Sequence, residues 1–322
     1  MRRYIIILLI ATMLSTVLSF SASAASGTVY ESEPNDDFST ADWTYNDYNS
    51  YGAISQSDFN GKGDMWKITV PYSGYANFYL GHIPSGCNYE LCIYKHDLSG
   101  VLAYSYNTGN KRELVSAYVE AGKTYYIYVY SISGYSSSNY LLRVKVYPVK
   151  TLSMNLYEQP NDFTCSTTSG RMVLSKYGVN VTHAVFYHYS QIRYKTEWDY
   201  VYALTETINH FLDDNNIYTN YQYIPVGQYS NDEYNNLIIH NIVYNYPIIP
   251  LIAIYEYDYF SYQTSGHYVA LKGTTFNPTT KVFSAIINDP KDGASQTITI
   301  PTSALWGYNL SHWNPHVICV KD

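Results

Sequence analysis

Short runs of alternating apolar and polar residues, separated by turn sequences, fill the chain from about residue 30 to residue 148. In "MWKITV" the side chains of Trp66, Ile68 and Val70 share one face, and "YYIYVY" and "YLLRVKVY" alternate in the same way. Period two over runs of this length indicates strands with one buried face. Turn sequences such as "YSG", "NTGN" and "EAGK" lie between the runs. The pattern predicts a small antiparallel β-sandwich.

The pattern changes after about residue 157. The segments "CSTTSGRMVLSKYG", "WDYVYALTETINHFLDDNN" and "NDEYNNLIIHNIVYN" predict helices, and "PIIPLIAIYEY", "HYVALKG" and "KVFSAIIND" predict strands. A further helix in "SALWGYN" and a last strand in "HVICV" complete this part. Helices followed by an antiparallel sheet are typical of the α+β class. We therefore expect a multidomain chain, with an all-β sandwich before an α+β domain.

The amino terminus predicts export. "MRR" is followed by a short apolar run and by small residues that end in an alanine-x-alanine pattern at Ala24. This layout is typical of a secretory signal peptide, and an uncleaved membrane anchor is the alternative. The expected organisation is a signal peptide at 1–24, a sandwich at 25–148, a linker at 149–156 and the α+β domain at 157–322. After cleavage we expect an extracellular protein that is not bound to a membrane.

The composition narrows the classes of partner. The chain has 19 basic and 26 acidic residues, and two of the basic ones are Arg2 and Arg3 of the signal peptide. This mildly acidic balance argues against nucleic acid and anionic membranes as partners. Tyrosine accounts for 40 of the 322 residues. Tyrosine suits strands, and its rings could also form platforms that bind sugars.

Four cysteines are few for an exported chain of this size, so disulfides are not expected to be its main source of stability. Cys87 and Cys92 would point to opposite faces of a straight strand, so a bridge between them needs a turn. Cys319 lies in an apolar strand and is most simply a buried small side chain. For Cys165 a structural role, a disulfide and a nucleophilic role all stay open.

Cys165 has the surroundings that a nucleophile needs. It stands where a helix should begin, directly after Thr164, a residue type that caps helices. A helix amino terminus lowers the pKa of a thiol, and its unpaired N–H groups can bind an oxyanion. Among the nine histidines, His267 opens a strand and is followed by a second strand that ends at Asp289. If the two strands form a hairpin, His267 lies beside Asp289 or Asn288.

Three motifs in this order, "QPNDFTC", "GHYVALKG" and "INDP", resemble the papain-like cysteine peptidases of the bacteriocin-processing, double-glycine leader type. The similarity is closer to their stand-alone secreted relatives and covers about residues 155 to 320. The resemblance implies that Cys165 is the nucleophile, His267 the general base and Asp289 the residue that orients it. It also implies that the side-chain amide of Gln159 helps to form the oxyanion hole.

The chain departs from this family in one place. The family cysteine is often followed by Gly-Pro and small residues, whereas Cys165 is followed by "STTS". The residues are still small, so close packing of the helix is expected. The transporter domains that accompany bacteriocin processors do not appear in this sequence, so removal of a leader during export is not expected.

The first part of the chain resembles the bacterial pre-peptidase C-terminal domain, a β-sandwich attached to many secreted peptidases. The segments that carry the resemblance are "ESEPNDDFSTAD", "GDMWKITV", "NYELCIYKHD" and "GKTYYIYVYS". In related collagen-binding domains such an acidic segment supplies calcium ligands. The resemblance implies calcium ligands at Glu31, Glu33, Asn35 and Asp36, with Asp64 as a further candidate. Carboxylate and amide oxygens suit this hard cation, although an acidic, solvated linker would have the same composition.

These features predict a secreted bacterial cysteine peptidase that acts on peptides or proteins, needs no cofactor for catalysis and carries structural calcium in its sandwich. Two other functions remain open. One is a non-catalytic extracellular binding protein whose sandwich holds a cell-wall polymer, a sugar or a matrix protein. The other is an amidase or transglutaminase-type acyl transferase that uses the same triad.

Overall fold

The computed structural model describes residues 27–59, 63–162, 164–193 and 200–321. The predicted signal peptide at 1–24 lies outside the described residues. Within them the chain forms four β-sheets and six helices, so it is mostly β-structure with a helical component. None of the helices in the described ranges is long and apolar enough to cross a membrane.

Two five-stranded sheets form the first part, which we call the sandwich (residues 28–148). One sheet has the order β1-β3-β10-β5-β8 and the other β2-β4-β9-β6-β7. The elements are β1 (Thr28–Tyr30), β2 (Asp42–Trp43), β3 (Asn49–Gly52), α1 (Gln56–Phe59), β4 (Asp64–Thr69), β5 (Gly74–Gly81), β6 (Asn88–Tyr94), β7 (Val101–Ser105), β8 (Glu113–Val119), β9 (Thr124–Ser133) and β10 (Tyr140–Pro148).

The apolar faces of the two sheets pack against each other, as the alternation predicts. Trp66, Ile68 and Ile127 from one sheet share a core with Phe78 and Leu142 from the other, and all five are fully buried. Most neighbouring strands are antiparallel, but β1 pairs parallel to β3 and β2 parallel to β4. The polar residues and tyrosines that alternate with this apolar face lie mostly on the outer faces, whereas Tyr89, Tyr125 and Tyr140 are buried in the core.

The second part, residues 150–320, combines two four-stranded sheets with five helices. The sheets have the orders β11-β15-β16-β17 and β12-β18-β13-β14. The elements are β11 (Lys150–Thr151), α2 (Cys165–Lys176), α3 (His183–Arg193), α4 (Tyr200–Asp213), β12 (Tyr221–Pro225), α5 (Asn231–Val243), β13 (Ile249–Ile254), β14 (Thr264–Tyr268), β15 (Ala270–Asn277), β16 (Val282–Asp289), β17 (Gln296–Pro301), α6 (Thr302–Leu310) and β18 (His316–Val320).

The predicted helices α2, α4, α5 and α6 and the strands β13, β16 and β18 are confirmed, while α3, β12 and β17 were not predicted. The prediction of one strand over "HYVALKG" is wrong. The chain leaves one sheet at Tyr268 and enters the other at Ala270, and the amide of Val269 between them donates to Pro250 O at 3.3 Å. The segment makes two strands because each half has a different partner: β14 pairs with β13, and β15 pairs with β16.

The two parts of the chain are joined by more than the connecting peptide. Within the predicted linker, β11 pairs with β15 of the second part. The ring of Tyr147, on the outer face of β10, stacks on Phe276 at a centroid distance of 4.8 Å and touches Phe283 at 5.1 Å. Nearby, Lys145 Nζ lies 3.4 Å from Asp232 Oδ1 on α5. An aromatic contact therefore holds the outer face of the sandwich against the β15–β16 hairpin, and an ion pair holds it against α5.

Replacing Tyr147 with alanine should destabilise the whole protein, because its ring packs between the two parts. We expect a loss of about 1–3 kcal/mol in the free energy of unfolding, since the ring is only partly buried. Urea titration followed by fluorescence measures this loss. Tyr104→Ala is the matched control, because Tyr104 is 61% exposed on the far sheet. Equal stability of the two variants would contradict the packing described here.

Candidate active site

Cys165 is the first residue of α2, as predicted, and small residues bring this helix close to its neighbours. Thr168, Ser169 and Gly170 are buried, and a Cβ added at Gly170 would lie 2.5 Å from the ring of Phe186. Ser169 Oγ donates to the carbonyl of Tyr268 at 3.0 Å. The "STTS" sequence therefore permits the close packing that glycine and proline would permit, and it ties the helix to the strand that carries His267.

The cap of α2 differs from the sequence prediction. Thr164 occupies the N-cap position, but its side chain makes no capping hydrogen bond. Its hydroxyl donates instead to the carbonyl of Asn161 at 3.0 Å. The hydroxyl thus stabilises the turn before the helix. The N–H groups of the first helical turn are left without a side-chain cap from Thr164, which suits an anion at this end.

The thiol of Cys165 is hydrogen-bonded to His267 and to the backbone of Tyr268 and Ser166. Burial alone would raise the pKa of this thiol. The hydrogen bond and positive charge of His267, together with the backbone contacts, outweigh burial and hold the pKa below its usual value. A thiol with a lowered pKa is the reactive form of cysteine. Cys87, Cys92 and Cys319 are also free, so the disulfide considered for Cys87 and Cys92 is absent.

His267 and Asp289 are brought together, as the sequence predicts. His267 Nε2 lies 2.8 Å from Asp289 Oδ1, and both side chains are buried. Burial lowers the pKa of His267, but the bonds to Asp289 and Cys165 raise it to about 9. Because Nε2 is engaged with Asp289, Nδ1 is the nitrogen that faces the thiol. The three side chains therefore form one hydrogen-bonded chain in the order Cys165, His267, Asp289.

The structure also decides between the two candidate partners of His267. Asn288 is fully buried and uses its side chain elsewhere. Its Nδ2 donates to the carbonyl of Asn155 at 3.1 Å, and its Oδ1 accepts from Thr297 Oγ1 at 2.6 Å. Asn288 thus fastens the segment before α2 to the sheet, and Asp289 is the residue that contacts His267.

Gln159 lies in a segment that is fastened to the loop after Asp289. Its backbone N–H donates to the carbonyl of Pro290 at 2.8 Å. The neighbouring Glu158 accepts from Gly293 N at 3.0 Å and from Ser295 Oγ at 3.2 Å. The Gln159 side chain is buried, and its Oε1 has no hydrogen-bond partner among the residues described. Glu158 was not predicted, because one acidic residue in a polar loop gives no sequence signal.

A second group of polar residues lies at the start of the sandwich. Carboxylate oxygens approach one another in two overlapping groups of three. In each group, one oxygen from every residue lies within 4.8 Å of the others: Glu31, Glu33 and Asp64 form the first group, and Glu33, Asp36 and Asp58 the second. Asp58, on α1, was not predicted, because it is 22 residues beyond the acidic segment. Asn35 is fully buried. Its Nδ2 donates to Asp42 Oδ2 at 3.2 Å, whereas its Oδ1 has no partner in the described part of the chain.

Two buried carboxyls of this acidic group, Glu31 and Asp64, have strongly raised pKa values. Burial, followed in effect by the nearby charge of Glu31, raises the pKa of Asp64 to about 9. Burial likewise raises the pKa of Glu31 to about 7. Asp64 Oδ2 accepts from Tyr140 Oη at 2.6 Å, and Tyr140 Oη in turn accepts from Trp66 Nε1 at 2.8 Å. Asp64 Oδ1 finds no donor among the described residues. Oxygen ligands in this arrangement fit a hard divalent cation.

Comparison with known proteins finds partial similarities among solved structures. No family model matches the sequence. No curated protein matches it either. Among solved structures, the pre-peptidase C-terminal domain of a collagenase from Bacillus anthracis is 19% identical, covers 33% of this chain and 94% of its own, and has a TM-score of 0.27. A double glycine motif protease from an AMS/PCAT transporter, in complex with the leader peptide, is 16% identical. It covers 55% of this chain and 100% of its own, and has a TM-score of 0.33. The peptidase domain of Streptococcus ComA is 16% identical, covers 52% of this chain and 98% of its own, and has a TM-score of 0.30.

Alkylation tests whether the thiol of Cys165 is ionised more readily than that of Cys319. At pH 6 we expect iodoacetamide to modify Cys165 on the order of 10²-fold faster than Cys319, because burial raises the pKa of Cys319 to about 12. Peptide mass spectrometry of timed samples measures both rates. His267→Gln is the control. If His267 maintains the thiolate, alkylation of Cys165 at pH 6 should be slower in this variant, while the alkylation rate of Cys319 should not change. An equal, slow reaction of both cysteines in the wild type would contradict the assignment.

Proposed function

We propose that this protein is a secreted bacterial cysteine peptidase that hydrolyses peptide bonds. The observation that carries the proposal is the hydrogen-bonded chain from Cys165 through His267 to Asp289. In it the pKa of the thiol is lowered and that of the imidazole is raised. These opposite shifts favour the thiolate–imidazolium pair, which is the resting state of an activated cysteine nucleophile. The signal-peptide pattern at residues 1–24 supports secretion.

The proposed reaction has two stages. The Cys165 thiolate attacks the carbonyl carbon of the scissile peptide bond, and the electron pair of the carbonyl moves to its oxygen. His267, which holds the former thiol proton, gives a proton to the leaving amine as the tetrahedral intermediate collapses to a thioester. His267 then takes a proton from water, the resulting hydroxide attacks the thioester, and Cys165 is released. Asp289 stabilises the imidazolium and keeps Nδ1 directed toward the sulfur.

Two donors are proposed for the oxyanion. The first is the backbone N–H of Cys165, at the start of α2, where helical N–H groups have no intrahelical acceptor. The second is the side-chain amide of Gln159, held by the contacts of its segment to the loop after Asp289. The burial of the Gln159 side chain and the hydrogen bonds of its segment support preorganisation, which is what gives such donors their effect on rate.

The chain is proposed to divide into a pre-peptidase-type sandwich over residues 25–148, a linker at 149–156 and a papain-like peptidase domain over 157–322. The sandwich is proposed as an accessory or substrate-binding module, with an extracellular polymer or matrix protein as candidate ligand. The substrate is a peptide or protein, and catalysis itself needs no cofactor. Neither nucleic acid nor membrane is a proposed partner of the mature protein.

A peptide-library digest tests the activity and the substrate together. We expect cleavage by the wild type, none detectable from Cys165→Ala, and a loss of about 10²–10³ in turnover from Gln159→Ala, which removes one oxyanion donor. Cys92→Ala and Gln228→Ala are matched controls that change the same residue types away from the triad. Cleavage by Cys165→Ala at the wild-type rate would refute the proposal.

The same digest separates the other two functions. An acyl transferase would join an added primary amine to the substrate in a Cys165-dependent step, and an amidase would release ammonia or cut amide bonds of cell-wall peptides. A binding protein would leave every peptide intact, and its Cys165 would react with iodoacetamide as slowly as its other cysteines.

We further propose that the acidic group of the sandwich holds structural calcium. The residues that would bind it are Glu31, Glu33, Asn35, Asp36 and Asp64, and the structure adds Asp58 as a candidate. The fit rests on Asn35 Oδ1, which is buried and has no hydrogen-bond partner among the described residues, and on the raised pKa values of the neighbouring carboxyls Glu31 and Asp64. The ion would reduce the repulsion between the neighbouring carboxylates of Glu31 and Asp64.

Calcium should stabilise the protein more at pH 8 than at pH 5. Without a cation, the folded chain holds protons on Glu31 (pKa about 7) and Asp64 (pKa about 9) that the unfolded chain releases above about pH 4. Stability therefore falls as pH rises toward 9, and a bound cation removes this penalty. At 100 times its Kd, calcium should add about 2.7 kcal/mol.

Melting temperatures of the whole protein with EDTA and with calcium, at both pH values, measure this effect. Asp58→Asn should reduce the calcium-dependent gain, whereas the exposed Asp97→Asn should leave it unchanged. A melting temperature that does not respond to chelator at either pH would contradict the proposal of a calcium site.

A further inference from the structure

The loop between β13 and β14, residues 255–263, reaches across to Asp289. Most of the loop is exposed, but Phe260 is buried at 1% exposure, and its ring packs against Tyr308 of α6 at 5.9 Å. Phe260 also packs edge-on against Tyr262 at 5.7 Å. The loop is therefore held by a buried aromatic contact two residues before Tyr262, which places that side chain against the Cys165–His267–Asp289 chain.

Tyr262 makes three contacts there. Its hydroxyl donates to Asp289 Oδ2 at 2.9 Å. Its ring lies edge-to-face with the imidazole of His267, with centroids 5.6 Å apart and planes at 82°. Lys291 Nζ lies over the ring, 5.6 Å from its centroid. The side chain thus contacts both members of the His267–Asp289 pair and also lies close to the cation of Lys291.

The two oxygens of Asp289 have different partners. Oδ1 is 2.8 Å from His267 Nε2 and also accepts from the backbone N–H of Lys291 at 3.1 Å. Oδ2 accepts from Tyr262. A carboxylate held at one oxygen can turn about its Cβ–Cγ bond, because torsions at such sp³–sp² bonds are broad. The bond from Tyr262 removes this freedom and keeps Oδ1 directed at His267.

The hydroxyl of Tyr262 remains a donor at all working pH values. Burial, and then the charge of Asp289, raise the pKa of Tyr262 well above the usual value for tyrosine. The other titratable or charged groups that face the pair are Cys165 on α2 and Lys291 after β16. Lys291 Nζ is itself paired with Asp162. Tyr262 is therefore a neutral, permanent donor in a group of charged partners.

We propose that Tyr262 is a positioning residue of the peptidase: its hydroxyl holds Asp289 in line with His267, and its ring covers the bond between them. This inference rests on the proposed function, because it concerns the same site. It predicts that the hydroxyl affects how well His267 keeps its proton, and thus how much thiolate Cys165 carries. A purely structural tyrosine would affect stability alone.

Tyr262→Phe is the decisive variant, because it keeps the ring and removes the hydroxyl. We expect kcat/KM to fall about tenfold or more, in line with the loss of a hydrogen bond to a charged group. The alkaline limb of the pH profile of kcat/KM should move to lower pH, since a misaligned Asp289 stabilises the imidazolium less. Alkylation of Cys165 at pH 6 should slow several-fold for the same reason.

Tyr221→Phe is the matched control. Tyr221 is buried, and its hydroxyl lies 3.1 Å from Tyr177 Oη, so this variant also loses one buried hydroxyl contact. It should change the melting temperature without moving the pH profile or the alkylation rate. Tyr262→Leu, which removes the ring as well, should lower kcat/KM further than Tyr262→Phe.

The outcomes separate the inference from the function on which it rests. A wild type that cleaves peptides, with a Tyr262→Phe variant whose alkaline limb and alkylation rate are unchanged or move upward, overturns the role of Tyr262 alone. A wild type that neither cleaves peptides nor shows fast alkylation of Cys165 overturns the proposed function, and the role of Tyr262 falls with it. A downward shift in Tyr262→Phe that is absent from Tyr221→Phe supports the inference.

Discussion

The register between β15 and β16 is the constraint on which the candidate active site depends. Ala270 lies opposite Asn288, so the last residue of β16, Asp289, comes next to the point where the chain enters β15. Because the chain crosses from one sheet to the other at Val269, His267 belongs to the neighbouring sheet and still reaches Asp289 at 2.8 Å. A slip of one residue would turn Asp289 to the opposite face of the sheet and separate the pair.

Burial of this polar group is tolerated because its members are paired. An unpaired charge in such a position would be costly, whereas Asp289 has partners at both oxygens and His267 at both nitrogens. The small residues of α2 add a second condition. Ser169 lets the helix approach β14 and hydrogen-bond to Tyr268, and Gly170 leaves room for Phe186 of α3 and Leu204 of α4 on another side of the helix. Packing and chemistry are thus satisfied by the same short segment.

The sandwich contacts the hairpin at the end that is remote from the site. Phe276 and Phe283, which meet Tyr147, lie opposite each other near the turn. Phe276 is six positions after Ala270 in this strand, a distance of roughly 20 Å. The sandwich therefore supports the hairpin whose far end positions Asp289. The acidic group lies in the sandwich and has no direct part in the proposed chemistry.

The sequence by itself determined the strands of the sandwich, most helices, and the candidate residues Cys165, His267 and Asp289. Local periodicity and chain order carry that information, because a buried face repeats every two or every 3.6 residues. Only the tertiary structure decided that Asp289 rather than Asn288 meets His267, and that "HYVALKG" divides between two sheets. Only the tertiary structure also placed Tyr262 and Glu158 near the candidate active site and Asp58 in the acidic group. Those contacts join residues distant in the chain, and a single tyrosine among 40, or a single acidic residue, has no local pattern that reveals its partner.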